Sequence, residues 1–404
     1  MQKVGGVIVS GAGPVGLITA LGLARAGVKV TLVEAEAGIN DSPRAAIYYP
    51  ATLDILERYG LLEDALDVGY KSTGFHFRVP AKGTVIKLDA SILEGTIPHA
   101  FNLHLGQHVL AELVLKHLLR LPNADVRWNT SVTGVEQDAH GVTVTVDTAA
   151  GSQKLRSEWL VGADGGRSTV RRLLDLPFEG FTWPDRFVAT NVRFDFEKYG
   201  YAPINQVCDP VHWAVIARLG KEDLWRCTFG EDPNISDEEA RRRIPDHYAA
   251  LLPGDGKYEL VSSSPYRVHE RCAPRFRVGR VLLAGDAAHV CNPCGGMGLT
   301  TGIVDAVAAS DALFSVISGE SDESMLEYYS EERRRVFLDV TTRIASNTKR
   351  TLSEKDPQQQ LEDERGYRKA SEDVAVGRQA LMYPAGVLGN MAETGKFERP
   401  KVAA

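Results

Sequence analysis

Short apolar runs alternate with amphipathic stretches from the first residues of the chain. Residues 3 to 10, KVGGVIVS, form an apolar run of the kind that enters a sheet buried on both faces. GAGPVG marks a turn, and LITALGLARAG then repeats apolar residues at helical spacing up to Gly27, a residue suited to ending a helix. VKVTLVEAE reads as a second strand, so the N-terminal segment predicts a βαβ unit.

Further on, ATLDILERYGLLEDAL predicts a helical piece, and FHFRV and TVIKL a small antiparallel element. Residues 107 to 120, QHVLAELVLKHLLR, have helical periodicity; DVRWNTSVTGVEQD and GVTVTVDT read as strands; EWLVGAD is another strand that runs into a glycine-rich turn. Between about 186 and 274 strands dominate: FVATNVRFDF, HWAVIARL, LWRCTFGE and YELVSSSPYRV. They predict a mostly antiparallel sheet, interrupted by one polar helix, SDEEARRRIPDHYAAL. GRVLLAGDAAH returns to the buried-strand type, and a helix opens near residue 298. Residues 351 to 370 are strongly polar and predict a solvated helix or a mobile segment.

With 404 residues the chain exceeds the size at which one core usually stops growing, which predicts two packed units or one elaborated α/β body. A net charge of −7 argues against a polyanion-binding surface, so nucleic acid is not an expected partner. The five cysteines, Cys208, Cys227, Cys272, Cys291 and Cys294, are odd in number and scattered, which points to a reducing cytoplasm rather than a secreted disulfide framework. The N-terminal apolar run leads into glycines and a helix instead of a cleavage site. No stretch approaches the ~20 uninterrupted apolar residues of a membrane span, so no membrane is expected.

Gly11, Gly13 and Gly16 give G-x-G-x-x-G directly after a strand, with Pro14 inside it and a helix opening behind it. In that context the glycines allow a tight turn, a close approach to a pyrophosphate and close helix–strand packing, and the helix N-terminus supplies N–H groups. Glu34 ends the second strand 18 residues beyond Gly16, where a carboxylate would accept from ribose hydroxyls. Two further strand-to-acid turns follow, Asp164 in VGADGGRSTVRR and Gly285 with Asp286 in RVLLAGDAAH. A nicotinamide dehydrogenase has no obvious need for these; a cofactor with a long polyhydroxy chain does. Cys291 and Cys294 form a C-x-x-C pair, CNPC, whose spacing suits a redox dithiol, half of a zinc site or a mere site lining. No second Cys or His pair completes a zinc site, and no metal is expected.

GAGPVG with Glu34, GADGGRSTVR, and GDAAH followed by NPCGGMGLTTGIVDA resemble, in order and spacing, the three FAD-binding signatures of single-component flavoprotein aromatic hydroxylases, the para-hydroxybenzoate hydroxylase group. The resemblance implies an α/β fold: a discontinuous Rossmann-like FAD-binding domain (1–75, 100–185 and 275–350), an inserted, mostly antiparallel substrate sheet (76–99 and 186–274) and a C-terminal helical or extended segment (351–404). It places Arg44 near the FAD phosphates, Gln107 at the ribityl chain, and Asp164, Gly165 and Arg167 between FAD and pyridine nucleotide. It adds Val132 to the cofactor contacts, sets Asp286 against the ribityl or pyrophosphate side, and borders the isoalloxazine ring with Pro293, Gly295, Gly296, Gly298 and Leu299. His289 reads as a packing histidine.

The implied chemistry is FAD reduction by NADH or NADPH, addition of O₂ to give a C4a-hydroperoxide, and oxygen transfer to a small aromatic substrate. Arg44, Arg167, Arg171 and Arg172 are candidates for a 2′-phosphate. In DPVHWAVIARL, His212 and Trp213 are placed at the substrate, with alternation allowing one of them to point inward; Arg193 and Asn205 are further candidates, and Pro293 joins His212 and Trp213 at the reacting centre. YYPATLDILERYGLLEDA and SPYRVHERCAPRFRVGRVLLAGDAAH look more like members acting on para-nitrophenol or hydroxypyridines, which favours a phenol or hydroxypyridine. The alternatives are an FAD-dependent disulfide reductase, which needs a second G-x-G-x-x-G that the chain lacks, and an isoprenoid reductase of related fold. A monomer or a homodimer is expected.

Overall fold

The computed structural model describes residues 2–40, 46–254, 257–392 and 395–398. Its nucleotide-type half is built on a six-stranded sheet in the order Arg277–Val278, Val281–Leu283, Trp159–Gly162, Val7–Ser10, Val30–Val33, Ala124–Arg127. The last five strands run parallel and the first is antiparallel to its neighbour. VIVS, VTLV, WLVG and VLL are buried at every position, as both-faced burial requires of uninterrupted apolar strands. Helices Pro14–Arg25, Gln107–Leu118 and Met297–Ile317 share one core with this sheet, and the core also takes Val142, Val144, Val146 and Leu155 from a separate four-stranded sheet. Met297–Ile317 is long and apolar enough to cross a membrane by composition, yet most of it is buried inside the molecule, which makes it a core helix.

The second half is an eight-stranded sheet in the order His289–Val290, Glu259–Cys272, Glu179–Arg193, Trp225–Glu231, Ala214–Arg218, Ile204–Val207, Gly74–Val79, Thr84–Asp89. Every neighbouring pair is antiparallel except Ile204–Val207 with Gly74–Val79. Strand His289–Val290 leads out of the GDAAH turn, so this sheet begins where the nucleotide half ends. One face carries Val188, Val192, Ala214, Ile216, Trp225, Cys227 and Phe229 against Ile244, Tyr248 and Leu251. The other face carries Phe187, Trp213 and Val268 against Cys294 and Leu352.

Two expectations are corrected here. SDEEARRRIPDHYAAL is two helices, Asp237–Arg242 and Ile244–Leu251, because Pro245 has no N–H to continue the first and suits the start of the second. ATLDILERYGLLEDAL is likewise two, Pro50–Arg58 and Leu62–Val68, parted by Gly60 at φ +51°. The polar C-terminal stretch forms helix Pro357–Glu372, and its Tyr367 is inserted against Phe77 of the eight-stranded sheet at a ring separation of 4.2 Å.

Candidate active site

The glycine motif is shaped by close packing on one side and left open on the other. Gly11 has φ +108°, and a Cβ on it would stand 2.4 Å from the Ala163 carbonyl oxygen; a Cβ on Gly16 would stand 2.0 Å from the Gly11 oxygen. Gly13 is the contrast, since nothing lies within 4 Å of where its Cβ would be. Gly13 is also the N-cap of helix Pro14–Arg25 and offers no side-chain cap, so the first-turn N–H groups face that open space with positive potential. Glu34 Oε2 accepts from the Ala12 N–H at 2.6 Å, which holds the carboxylate beside the loop at the end of its strand.

A second helix N-terminus points into the same region. Met297–Ile317 has Gly296 as its N-cap, without a side-chain cap, and Tyr49 donates from its hydroxyl to the Gly295 carbonyl at 3.0 Å. Pro293 is exposed, while Gly295, Gly296, Gly298 and Leu299 are partly buried around it. Gln107 opens helix Gln107–Leu118 and is partly exposed; Asp286 is exposed in the short turn Gly285–Ala287. An anion-binding loop, an acid at the end of the second strand and an uncapped helix beside a proline fit the pyrophosphate, ribose and ring of FAD.

Behind the GDAAH turn lies an ion cluster that the sequence did not reveal. Asp305, wholly buried on helix Met297–Ile317, accepts from the Gly285 N–H at 3.1 Å and meets His289 Nε2 at 2.6 Å and Arg333 Nε at 2.7 Å. Burial pushes its carboxyl upward, but the charges and hydrogen bonds of His289 and Arg333 outweigh this and hold it below the usual range. His289 also stacks on Phe337 at 4.3 Å. It is thus a buried packing histidine whose partner stands 16 residues downstream, and it braces the turn that carries Asp286.

Several expected site residues have other employment. Asp164 caps its own turn, accepting from the Ser168 hydroxyl and the Thr169 and Val170 N–H groups, and is partly exposed beside it. Val132 is turned into the core, leaving only its backbone for a ligand. Arg171 is buried and donates to the Ala287 and Gly166 carbonyls, so it is not free for a 2′-phosphate; Arg172, which donates to Ser168 and Thr169 of its own turn, and Arg167 are exposed. Arg44 lies outside the described residues.

On the sheet, His212 and Trp213 point to opposite faces, and the inward one is Trp213. Its ring packs on Phe187 at 5.0 Å in the cluster with Cys294, under the Lys349 ammonium at 4.8 Å. His212 turns the other way, its ring 5.7 Å from that of His247, which stacks on Phe229 of the far face; this takes it out of the site. Asn205 is also corrected, because its amide is bound to the Ala202 backbone, the Ile216 carbonyl and Arg78. Arg193 sits at an exposed strand end with Glu222 and Glu259. The inward residues that sequence reading missed are Asn191, Arg226 and Tyr266, which pairing registers alone could reveal.

The CNPC pair is two free thiols. Burial raises both Cys291 and Cys294 above the ordinary thiol range, the reverse of a reactive thiolate, and Cys294 is packed among apolar side chains. Among the described residues no three His, Cys, Asp or Glu side chains converge as metal ligands.

Comparison with known proteins agrees with this geometry. The family described as FAD binding domain matches residues 5–344. Para-nitrophenol 4-monooxygenase of Pseudomonas sp. (strain WBC-3) is 44% identical over 385 residues, 95% of this chain and 96% of that protein. 6-Hydroxy-3-succinoylpyridine 3-monooxygenase HspB of Pseudomonas putida (strain DSM 28022 / S16) is 42% identical over 380 residues, 94% of this chain and 97% of that one. The crystal structure of p-nitrophenol 4-monooxygenase PnpA from Pseudomonas putida DLL-E4 superimposes with a TM-score of 0.93 at 42% identity, covering 96% of this chain and 99% of that chain. By this family match over most of its length and by these identities, the chain belongs to the family of FAD-dependent aromatic hydroxylases.

Proposed function

We propose that this enzyme hydroxylates a small phenol or hydroxypyridine with NADH or NADPH as reductant and O₂ as co-substrate, in the cytoplasm, where its five free thiols fit a reducing compartment. The observation that carries the reading is the contact between the proline turn and the sheet: Cys294 packs on Phe187 and Trp213, so the ring-binding turn and the inward sheet face bound one space. When bound, FAD supplies the electron and oxygen transfer. The chain's own residues hold it by the Gly11–Gly16 loop and the uncapped helix at Gly296, and the aromatic side chains Phe187, Trp213 and Tyr266 keep water from the ring.

The names of the two relatives support a para-substituted ring. Position 4 of para-nitrophenol and position 3 of 6-hydroxy-3-succinoylpyridine each bear a substituent across the ring from the hydroxyl, and each name assigns the incoming oxygen to that carbon. We extend this pattern to the present chain, with the para-nitrophenol type preferred. The test is oxidation of NADH and NADPH by the FAD-loaded enzyme with 4-nitrophenol, 6-hydroxy-3-succinoylpyridine and 4-hydroxybenzoate, with products identified by mass spectrometry. A substrate-stimulated rate with an oxygenated product is expected. Nicotinamide oxidation that ignores all three rings and yields only hydrogen peroxide would remove the proposal.

A further inference from the structure

Helix Thr342–Leu352, TRIASNTKRTL, buries Ile344, Ala345, Lys349 and Leu352, whose spacing puts them on one face of the helix. Ile344, Ala345 and Leu352 are apolar, and Lys349 takes its place among them at 4% exposure. This stripe spans from the proline turn to the eight-stranded sheet. A Cβ on Gly295 of the turn would stand 3.1 Å from Ile344 Cγ2 and 3.6 Å from Ala345 Cα, so the helix backs directly onto the turn. Leu352 joins Phe187, Trp213 and Cys294 in one cluster, and its carbonyl accepts from the Asp209 N–H at 3.0 Å. Asp209 in turn accepts from the N–H groups of Val211 and His212, just ahead of Trp213.

The Lys349 ammonium meets a different element in each direction. Nζ pairs with Asp185 Oδ2 at 2.7 Å, donates to Ser353 Oγ at 2.8 Å and stands 4.8 Å from the centre of the Trp213 ring. Asp185 comes from strand Glu179–Arg193, at the place where its register with Glu259–Cys272 shifts between Thr182 and Arg186. Burial pushes the Cys294 thiol up to about 12, with Lys349 opposing and Asp185 adding, which sets the ion pair beside the proline turn. Trp213 is packed just as closely against Gly230, where a Cβ would stand 2.7 Å from its Nε1 and Cζ2. A methionine in place of Lys349 would fill the same space without taking a charge out of water. The ammonium costs stability there and gains direction, because its donors fix where strand, helix and indole meet.

Resting on the aromatic-hydroxylase reading, we propose that Lys349 is a positioning residue: pinned by Asp185 and Ser353, it holds Trp213 against the proline turn and keeps the space they bound closed to water. Its effect falls on coupling, the oxygenated product formed per nicotinamide oxidised. In the uncoupled reaction the nicotinamide hydride and one proton pass to O₂ and leave as hydrogen peroxide. The test compares FAD-loaded wild type, Lys349→Met, Lys349→Arg and Asp185→Asn by hydrogen-exchange mass spectrometry. It also measures coupling with 4-nitrophenol, 6-hydroxy-3-succinoylpyridine and 4-hydroxybenzoate. In Lys349→Met, amide exchange is expected to quicken roughly tenfold in residues 208–214 and 290–299 and to stay within about twofold of wild type in strand Trp225–Glu231. Product per nicotinamide is expected to fall by roughly three- to tenfold. Lys349→Arg, which keeps the charge, and Asp185→Asn, which loosens it, are expected between Lys349→Met and wild type. Exchange that quickens equally in all three segments, or in none, overturns the proposal, as does full coupling in a variant whose two segments have opened. Should Lys349→Met lose its flavin, Asp185→Asn and Lys349→Arg carry the same comparison with the same outcomes. A wild type that oxygenates none of the three rings overturns the hydroxylase reading, and the exchange rates still decide whether Lys349 holds the two segments together.

Discussion

His104 shows how much one buried side chain can govern. Its Nδ1 meets the Arg218 carbonyl and its Nε2 the Ser72 hydroxyl, both at 2.7 Å, so Nδ1 carries the proton and Nε2 accepts in the neutral ring. Burial, aided by the Arg218 charge and opposed by its carbonyl, lowers the ring to about 4 from an ordinary 6.5. The unfolded chain therefore takes up this proton at a higher pH than the folded one. The stabilisation is complete above pH 6.5 and is lost as pH falls toward 4, by about 3 kcal/mol. Urea titrations across that window should show the wild type weakening more than His104→Gln; equal slopes would mean that His104 does not set the acid limit. Nothing in NLHLG announces this role, since both partners come from distant segments, Arg218 from 114 residues away. Trp213 and His212 make the same point: alternation says that one of them is inward and is silent on which.

At the scale of elements, helix Met297–Ile317 joins the proline turn to the buried ion cluster. Its N-terminus follows the proline turn and its Asp305, two turns on, ties the GDAAH turn to Arg333 on helix Ser324–Val336. The π-helical turn Phe337–Thr341 that follows sets Phe337 on His289 and Thr341 against Thr301 at 2.8 Å. Asp305→Asn keeps the shape but leaves Arg333 as a buried charge without its counterion. A loss of about 3–5 kcal/mol in urea unfolding is expected, together with reduced flavin content on purification. An unchanged midpoint would show that the cluster carries no net ionic stabilisation. Helix spacing predicted this helix from sequence, and the glycine motif predicted its partner Pro14–Arg25, because both signals are local. The cluster joining them was hidden, because its members are spread over residues 285 to 333.

For the whole molecule, the polar C-terminal helix is a strap across the eight-stranded sheet. Tyr367 stacks on Phe77 at 4.2 Å and donates to Gln206 at 2.9 Å, flanked by the ion pairs Lys82–Glu364 and Arg350–Asp363. The exposed pairs contribute little, so the aromatic contact carries the attachment. Tyr367→Phe should cost about 1 kcal/mol and Tyr367→Ala about 3 kcal/mol in urea unfolding. Equal small losses in the two variants would place the strap's attachment in the ion pairs instead.

The amino-acid sequence by itself determined the parallel sheet, the glycine loop after its first strand and the existence of a second, antiparallel sheet, because each is written in contiguous residues of fixed period. The tertiary structure alone decided which side of that second sheet meets the proline turn. Both of its faces are covered, one by Ile244, Tyr248 and Leu251 and the other by Cys294 and Leu352, so apolar residues alternate with little contrast and hydropathy cannot tell inside from outside. Pairing register broke that symmetry: it sent His212 and Asn205 to the far face and brought Trp213, Asn191 and Arg226 to the side of the proline turn.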